Sequence, residues 1–201
     1  MCPSVSSERQ AVVEFIEDGH VYLLDGIVTP SVSQLLKQVF PNKYKGVPAS
    51  VLANKADYGS KVHEAIEHAE KGLEMRDGGI YIKIALTQYD KLKKKHGFTV
   101  QDQEQIVWYK DKFCGRYDLT VTNADGLLCL DDIKTTYQLD REYLAWQLSL
   151  YELAYEWVHN LEPFPFAEFH CLWLPRGELG EYVKIERIDR DQLLKEFGWN
   201  E

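Results

Sequence analysis

Two stretches place charge where apolar residues would be the ordinary choice. In LLCLDDIKTT (residues 127–136), an apolar run from Leu127 to Leu130 gives way to Asp131, Asp132 and Lys134. In GRYDLTV, Asp118 interrupts a second run with strand character. Burying unpaired charge costs on the order of several kcal/mol, so such a strand either ends in solvent or gathers its charges for chemistry. Side chains alternate along a strand, which puts Asp132 and Lys134 on one face and turns Asp131 and Ile133 to the other. Hairpin pairing would bring Asp118 beside Asp132. Two carboxylates supply the hard oxygen ligands that Mg²⁺ or Mn²⁺ prefers, and a nearby ammonium can position an attacking water or help deprotonate it. A solvated sheet edge accounts for a D…DxK pattern equally well.

Helical spacing adds two weaker features. In YGSKVHEAIEHAE, Gly59, His63 and Glu67 recur every four residues and share one helical face. In QLSLYELA, Gln147 and Tyr151 do the same. A lone helix histidine is more often a packing or surface residue than a ligand, and Tyr151 by itself would be ordinary core.

The elements that must position these residues follow from pattern. VVEFIE and HVYLL flank an Asp-Gly turn and read as a β-hairpin, and Asp-Gly recurs at Asp25-Gly26. Ser31 and Gln34 have capping-box spacing ahead of QLLKQVF, which predicts a helix broken near Pro41. Further helices are expected over about 50–71 and 80–96, stopping at Gly72 and Gly97. EQIVWYK, FCGRYDLTVTN and LLCLDDIKT, separated by turn residues, predict an antiparallel meander. A long helix over 141–159, strands at 166–174 and 182–188, and a terminal helix capped by Asp189 complete an α/β arrangement around a mixed sheet.

Composition bounds the alternatives. A length of 201 residues with 45% hydrophobic content suits one domain over 1–201. No apolar stretch approaches the roughly 20 residues of a bilayer span, and MCPSVSSERQ lacks a signal-peptide core, so a cytoplasmic protein without membrane contact is expected. The four cysteines, Cys2, Cys114, Cys129 and Cys171, form no CxxC pair, which argues against a zinc or iron–sulfur centre. A net charge of −9 disfavours broad adhesion to nucleic acid but leaves room for a local groove or a cation pocket. The one dense basic run, KLKKK at 91–95, reads as a solvated helix end.

Taken in order, GxxxHxxxE, GxxD, DxK and QxxxY resemble the PD-(D/E)XK nuclease superfamily. The likeness is to its RecB-type branch of phage and prophage exonucleases, CRISPR-adaptation nucleases and the mitochondrial genome maintenance exonuclease. TPSVSQLL is similar to a PSVT-x-x-L segment of that branch, and the likeness runs from HVYLLDGIVTPSVSQLL to about residue 155. It implies a restriction-endonuclease-like core, a mixed central sheet flanked by helices, behind the N-terminal hairpin. It also implies a Mg²⁺- or Mn²⁺-dependent deoxyribonuclease, bacterial or phage-encoded, that acts on DNA, with a recombination or replication protein as the candidate partner. By that resemblance His63, Asp118, Asp132 and the carbonyl of Ile133 are the metal ligands. Asp118, Asp132 and Lys134 are the catalytic residues, and Gln147 and Tyr151 lie against the DNA backbone. Glu67 and Glu104 match more weakly as residues behind the ligands. The iron–sulfur cysteines of some relatives are missing, so no cluster is expected. An exonuclease of recombination, repair or replication is the first expectation; a structure-specific or restriction-like endonuclease and a non-catalytic DNA-binding subunit are the alternatives.

Overall fold

Residues 10–73 and 79–199 are described by a computed structural model; Cys2 and most of MCPSVSSERQ lie outside them. The chain begins with a small antiparallel sheet of β1 (Val13–Ile16), β2 (Val21–Leu24) and β3 (Ile27–Thr29). The expected hairpin is there, and Asp25-Gly26 adds a third strand to it. Both turn residues have positive φ, 50° and 78°, between the paired Leu24 and Ile27. That is the backbone a two-residue hairpin loop needs, and Asp-Gly adopts it at low cost.

Helix α1 (Val32–Val39) starts at the predicted capping box. The Gln34 amide donates to Ser31 Oγ, and the Ser31 amide donates to Gln34 Oε1. Then come α2 (Ala49–Glu70) and α3 (Gly79–His96), followed by the meander β4 (Thr99–Tyr109), β5 (Phe113–Thr122) and β6 (Leu128–Lys134). Helix α4 (Arg141–His159), capped by Asp140, crosses over to β7 (Glu168–Trp173), which lies parallel to β6. Strand β8 (Glu181–Ile185) and helix α5 (Arg190–Glu196), capped by Asp189, finish the fold. The large sheet has the order β4-β5-β6-β7-β8.

Alternation along β6 and β7 sends side chains into two cores. Leu130, Phe169 and Cys171 pack with α1, α4 and α5, while Cys129, Ile133 and Leu172 pack with α2 and α3. Among the described residues no helix is long and apolar enough to cross a membrane.

Strand β5 breaks the rule once. Phe113 and Tyr117 belong to the α4-side core, yet Leu119 and Val121, at the same parity, belong to the α2/α3-side core. The phase of the strand changes at Asp118. Its neighbour across the ladder is Glu104, flanked by the pairs Gln103↔Leu119 and Gln105↔Tyr117, and Glu104 has a left-handed φ of 53°. A non-glycine residue there costs energy and is a feature that clusters at functional sites.

Close approach explains one glycine. A Cβ on Gly115 would lie 2.6 Å from Tyr151 Cε1 and 2.7 Å from Val32 Cγ2, so β5, α1 and α4 meet there with no room to spare. Gly115→Ala should cost about 1–3 kcal/mol by overpacking and push the Tyr151 ring aside. Denaturant midpoints with an unchanged m value would register it; wild-type stability would mean the contact relaxes freely.

Candidate active site and metal centre

The β5–β6 ladder runs from Thr122↔Leu128 to Leu119↔Asp131. Past that point the Asp118 carboxylate takes the place of the partner backbone: Oδ2 accepts the Ile133 amide at 2.7 Å. The Ile133 carbonyl, on the same edge, faces His63 Nε2 of α2 at 3.1 Å. The far side of that imidazole, Nδ1, sits 3.5 Å from Glu104 Oε1 and 3.6 Å from Asp118 Oδ1. A gap between two strands thus collects a helix histidine, two carboxylates and a strand carbonyl.

Asp132 and Lys134 lie next to this gap on one face, as alternation requires. Lys134 Nζ is 2.6 Å from Asp132 Oδ2, with Asp132 nearly inaccessible and Lys134 about a quarter exposed. Asp131 faces the opposite side and accepts the Tyr182 hydroxyl at 2.6 Å. An open cavity of about 750 Å³ reaches His63, Glu67, Glu104, Asp118, Ile133, Lys134 and Tyr151.

The charge states follow from these neighbours. Burial works against a charged His63, but Asp118 and then Glu104 outweigh it and push the imidazole up to about 9. Burial raises the Asp132 carboxyl to about 6 despite the pull of Lys134. The Lys134 ammonium is disfavoured by burial yet held above its ordinary value by Asp132 and Asp118. Burial, followed by the same two carboxylates, keeps Tyr151 a neutral phenol, against a weaker opposing hydrogen bond from Gln147.

The His63 shift has a thermodynamic consequence in the metal-free protein. A folded value of about 9 against an ordinary 6.5 means that the protonated imidazole stabilises the fold fully below pH 6.5. That contribution disappears as pH rises through 9. In EDTA, the stability gap between wild type and His63→Gln should therefore be widest at pH 6 and close by about pH 9.5. A gap independent of pH would contradict the charged pairing.

Which residues could hold an ion is a matter of donor type and reach. His63, Glu104 and Asp118 can each present a ligand atom within 4.8 Å of the others. Asp132 stands outside that trio, engaged by Lys134, although its Oδ1 is buried without a hydrogen bond. Carboxylate oxygens, one imidazole, the Ile133 carbonyl and an orphaned buried oxygen suit a hard divalent cation such as Mg²⁺ or Mn²⁺.

Glu104, which the sequence placed at the margin, is central here because its left-handed backbone accompanies the change of phase. Glu67 lines the cavity but pairs with Lys71. Gln147 is half-buried and hydrogen-bonds Tyr151. Arg116, not singled out from sequence, bonds Glu104 Oε2 at 2.8 Å and also lines the cavity. Its only sequence signal was its position two residues before Asp118. At Gly59 α2 passes the end of β6: a Cβ there would sit 3.4 Å from Thr135 Oγ1, an ordinary contact distance.

Neither a family model nor a curated protein matches the chain. The solved structure of SSO0001 superposes with a TM-score of 0.41 at 16% identity, over 85% of this chain and 73% of that one. A likeness at that level says nothing of function.

Proposed function

We propose that this protein is a metal-dependent DNA nuclease, an exonuclease that hydrolyses phosphodiester bonds in recombination, repair or replication. The observation that carries this reading is the gap between β5 and β6. There His63, Glu104 and Asp118 converge beside a buried Asp132–Lys134 pair, at the wall of an open cavity. The resemblance of the motif order to RecB-type nucleases supplies DNA as substrate and favours an exonuclease.

In this reading Asp118, Glu104 and His63 would hold the ion, with the Ile133 carbonyl and Asp132 beside them. A bound Mg²⁺ or Mn²⁺ supplies a water of lowered pKa and offsets charge on the phosphate. Lys134, anchored by Asp132 and part-exposed to the cavity, orients that water and stabilises charge developing at phosphorus. Asp118 keeps the strands apart by occupying the Ile133 amide. The cavity wall is acidic on balance, Glu64, Glu67, Glu104 and Asp118 against Arg116 and Lys134, which suits a cation; the ion itself would supply the positive charge that a phosphate needs.

End-labelled linear DNA, single- and double-stranded, and a closed circle, each with Mg²⁺, Mn²⁺ or EDTA, test this. Progressive loss of label from linear DNA with metal alone is expected. Nicking of the circle would make it an endonuclease. DNA binding without cleavage would make it a non-catalytic subunit. Cleavage in EDTA would overturn the metal role.

A further inference from the structure

The face of the sheet opposite Asp132 and Lys134 carries a second cluster. Cys129 of β6 and Glu168 of β7 are register partners, and His170 follows Glu168 two residues later on the same face. Each offers one ligand atom within 4.8 Å of the other two. The thiol is fully buried and the imidazole nine-tenths buried. Glu168 is a third exposed and opens the cluster to solvent.

A second observation concerns the atoms behind the imidazole. His170 Nε2 faces Glu168 Oε2 at 3.3 Å, and Nδ1 faces Asp131 Oδ1 at 3.4 Å. Asp131 is completely buried, and neither its Oδ1 nor His170 Nδ1 makes a hydrogen bond. The other Asp131 oxygen accepts from the Tyr182 hydroxyl, and the Tyr182 ring stacks on His170 with centroids 4.4 Å apart. Two orphaned buried atoms facing each other are costly, and they fit the support of a ligating histidine. Such a histidine binds through one nitrogen and gives its other N–H to a carboxylate, which fixes ring and tautomer.

From this we infer a second cation site, built by Cys129 Sγ, Glu168 Oε2 and His170 Nε2 with Asp131 as the orienting carboxylate. A thiolate, an imidazole and a carboxylate select a borderline cation of the Zn²⁺ class, not the hard Mg²⁺ or Mn²⁺ of the first site. Binding displaces the Cys129 thiol proton to solvent and lets His170 Nδ1–H close its bond to Asp131. Lys184, 2.5 Å from Glu168 Oε1, occupies the carboxylate's other oxygen. The ion would clamp β6 to β7, the parallel pair whose far end carries Asp132 and Lys134. The site stands independently of the nuclease reading.

Co²⁺, which reports its ligands optically, is the direct probe. Added to the full chain, it should give a near-ultraviolet thiolate-to-cobalt charge-transfer band, and Zn²⁺ should abolish that band stoichiometrically. Cys129→Ser should lose the band, while Asp118→Asn, altered only at the first site, should keep it. Glu168→Gln, a change at a part-exposed position that spares the fold, should weaken Co²⁺ binding by roughly tenfold or more. Zn²⁺ should raise the melting temperature of wild type more than that of Cys129→Ser, in which only the first site is left to bind it. No charge-transfer band in wild type, a band that survives Cys129→Ser, or unaltered Co²⁺ affinity in Glu168→Gln would overturn the site.

Discussion

Lys134→Ala should lower single-turnover DNA cleavage by ~10²-fold or more, the scale on which a positioned acid–base or electrostatic group acts. Its Mn²⁺ affinity should stay the same or tighten slightly, because one cation beside the ion has gone. The buried pair adds a further signature. Asp132 is 1% exposed and neither of its oxygens has a hydrogen-bond partner beyond the ion pair of Oδ2 with Lys134, so losing Lys134 strands a buried carboxylate. Breaking a buried pair costs about 3–5 kcal/mol, with the low end expected here because Lys134 is partly solvated. The variant should therefore melt well below wild type without metal and recover more than wild type does when Mn²⁺ is added. Calorimetric Mn²⁺ titration, melting and single-turnover kinetics on one preparation separate these effects. Normal cleavage by Lys134→Ala would remove the nuclease reading's strongest support.

The second large effect is predicted for Asp118→Asn. Asparagine keeps the shape and can still accept the Ile133 amide, so the gap between β5 and β6 should persist while the charge disappears. Cleavage and Mn²⁺ affinity should then fall together, cleavage on the order of 10²-fold or more and affinity by roughly tenfold or more. Asp118 is also the chief influence that raises His63. In metal-free Asp118→Asn, the imidazole should titrate well below 9, back toward its ordinary 6.5, which NMR can follow residue by residue. Wild-type Mn²⁺ binding together with an unmoved His63 titration would show that Asp118 only buttresses the strand.

Much of this arrangement is legible in the sequence because the local signals agree with one another. The Ser31–Gln34 box, the Asp189 cap and the span of α4 are set by short-range chemistry, and each lies where pattern predicts; the Asp140 cap of α4 is not singled out from sequence. The shared face of Asp132 and Lys134, and the opposed face of Asp131, needed only period-two alternation. Failures occur where long-range geometry overrides the local period. β3 is three residues long with Ile27 and Val28 exposed, so no buried periodicity marks it. β4 starts at Thr99, five residues before EQIVWYK, because TVQDQ carries no apolar alternation and contains a register shift between Val100 and Asp102. The weight that falls on Glu104 depends on a left-handed φ and on a phase change in the partner strand. Neither leaves a mark in residue type. Arg116 likewise gains its place from Glu104, across the ladder, and not from its neighbours in the chain.

The irregular first half of β4 also bears on how this protein keeps company with itself. β4 is an outer strand of the large sheet, and an outer strand with a regular backbone is a template onto which another chain can add. Its second half is covered, since Ile106 and Trp108 pack against the small N-terminal sheet. Its first half is tied to α2 by the Gln103 side chain, which donates to the Glu67 carbonyl, and carries exposed Gln101 and Asp102, the register shift and the left-handed Glu104. A strand arriving from a second molecule would meet carboxylates and a backbone that cannot continue its ladder. The distortion that aims Glu104 toward His63 thus also guards an exposed border against aggregation.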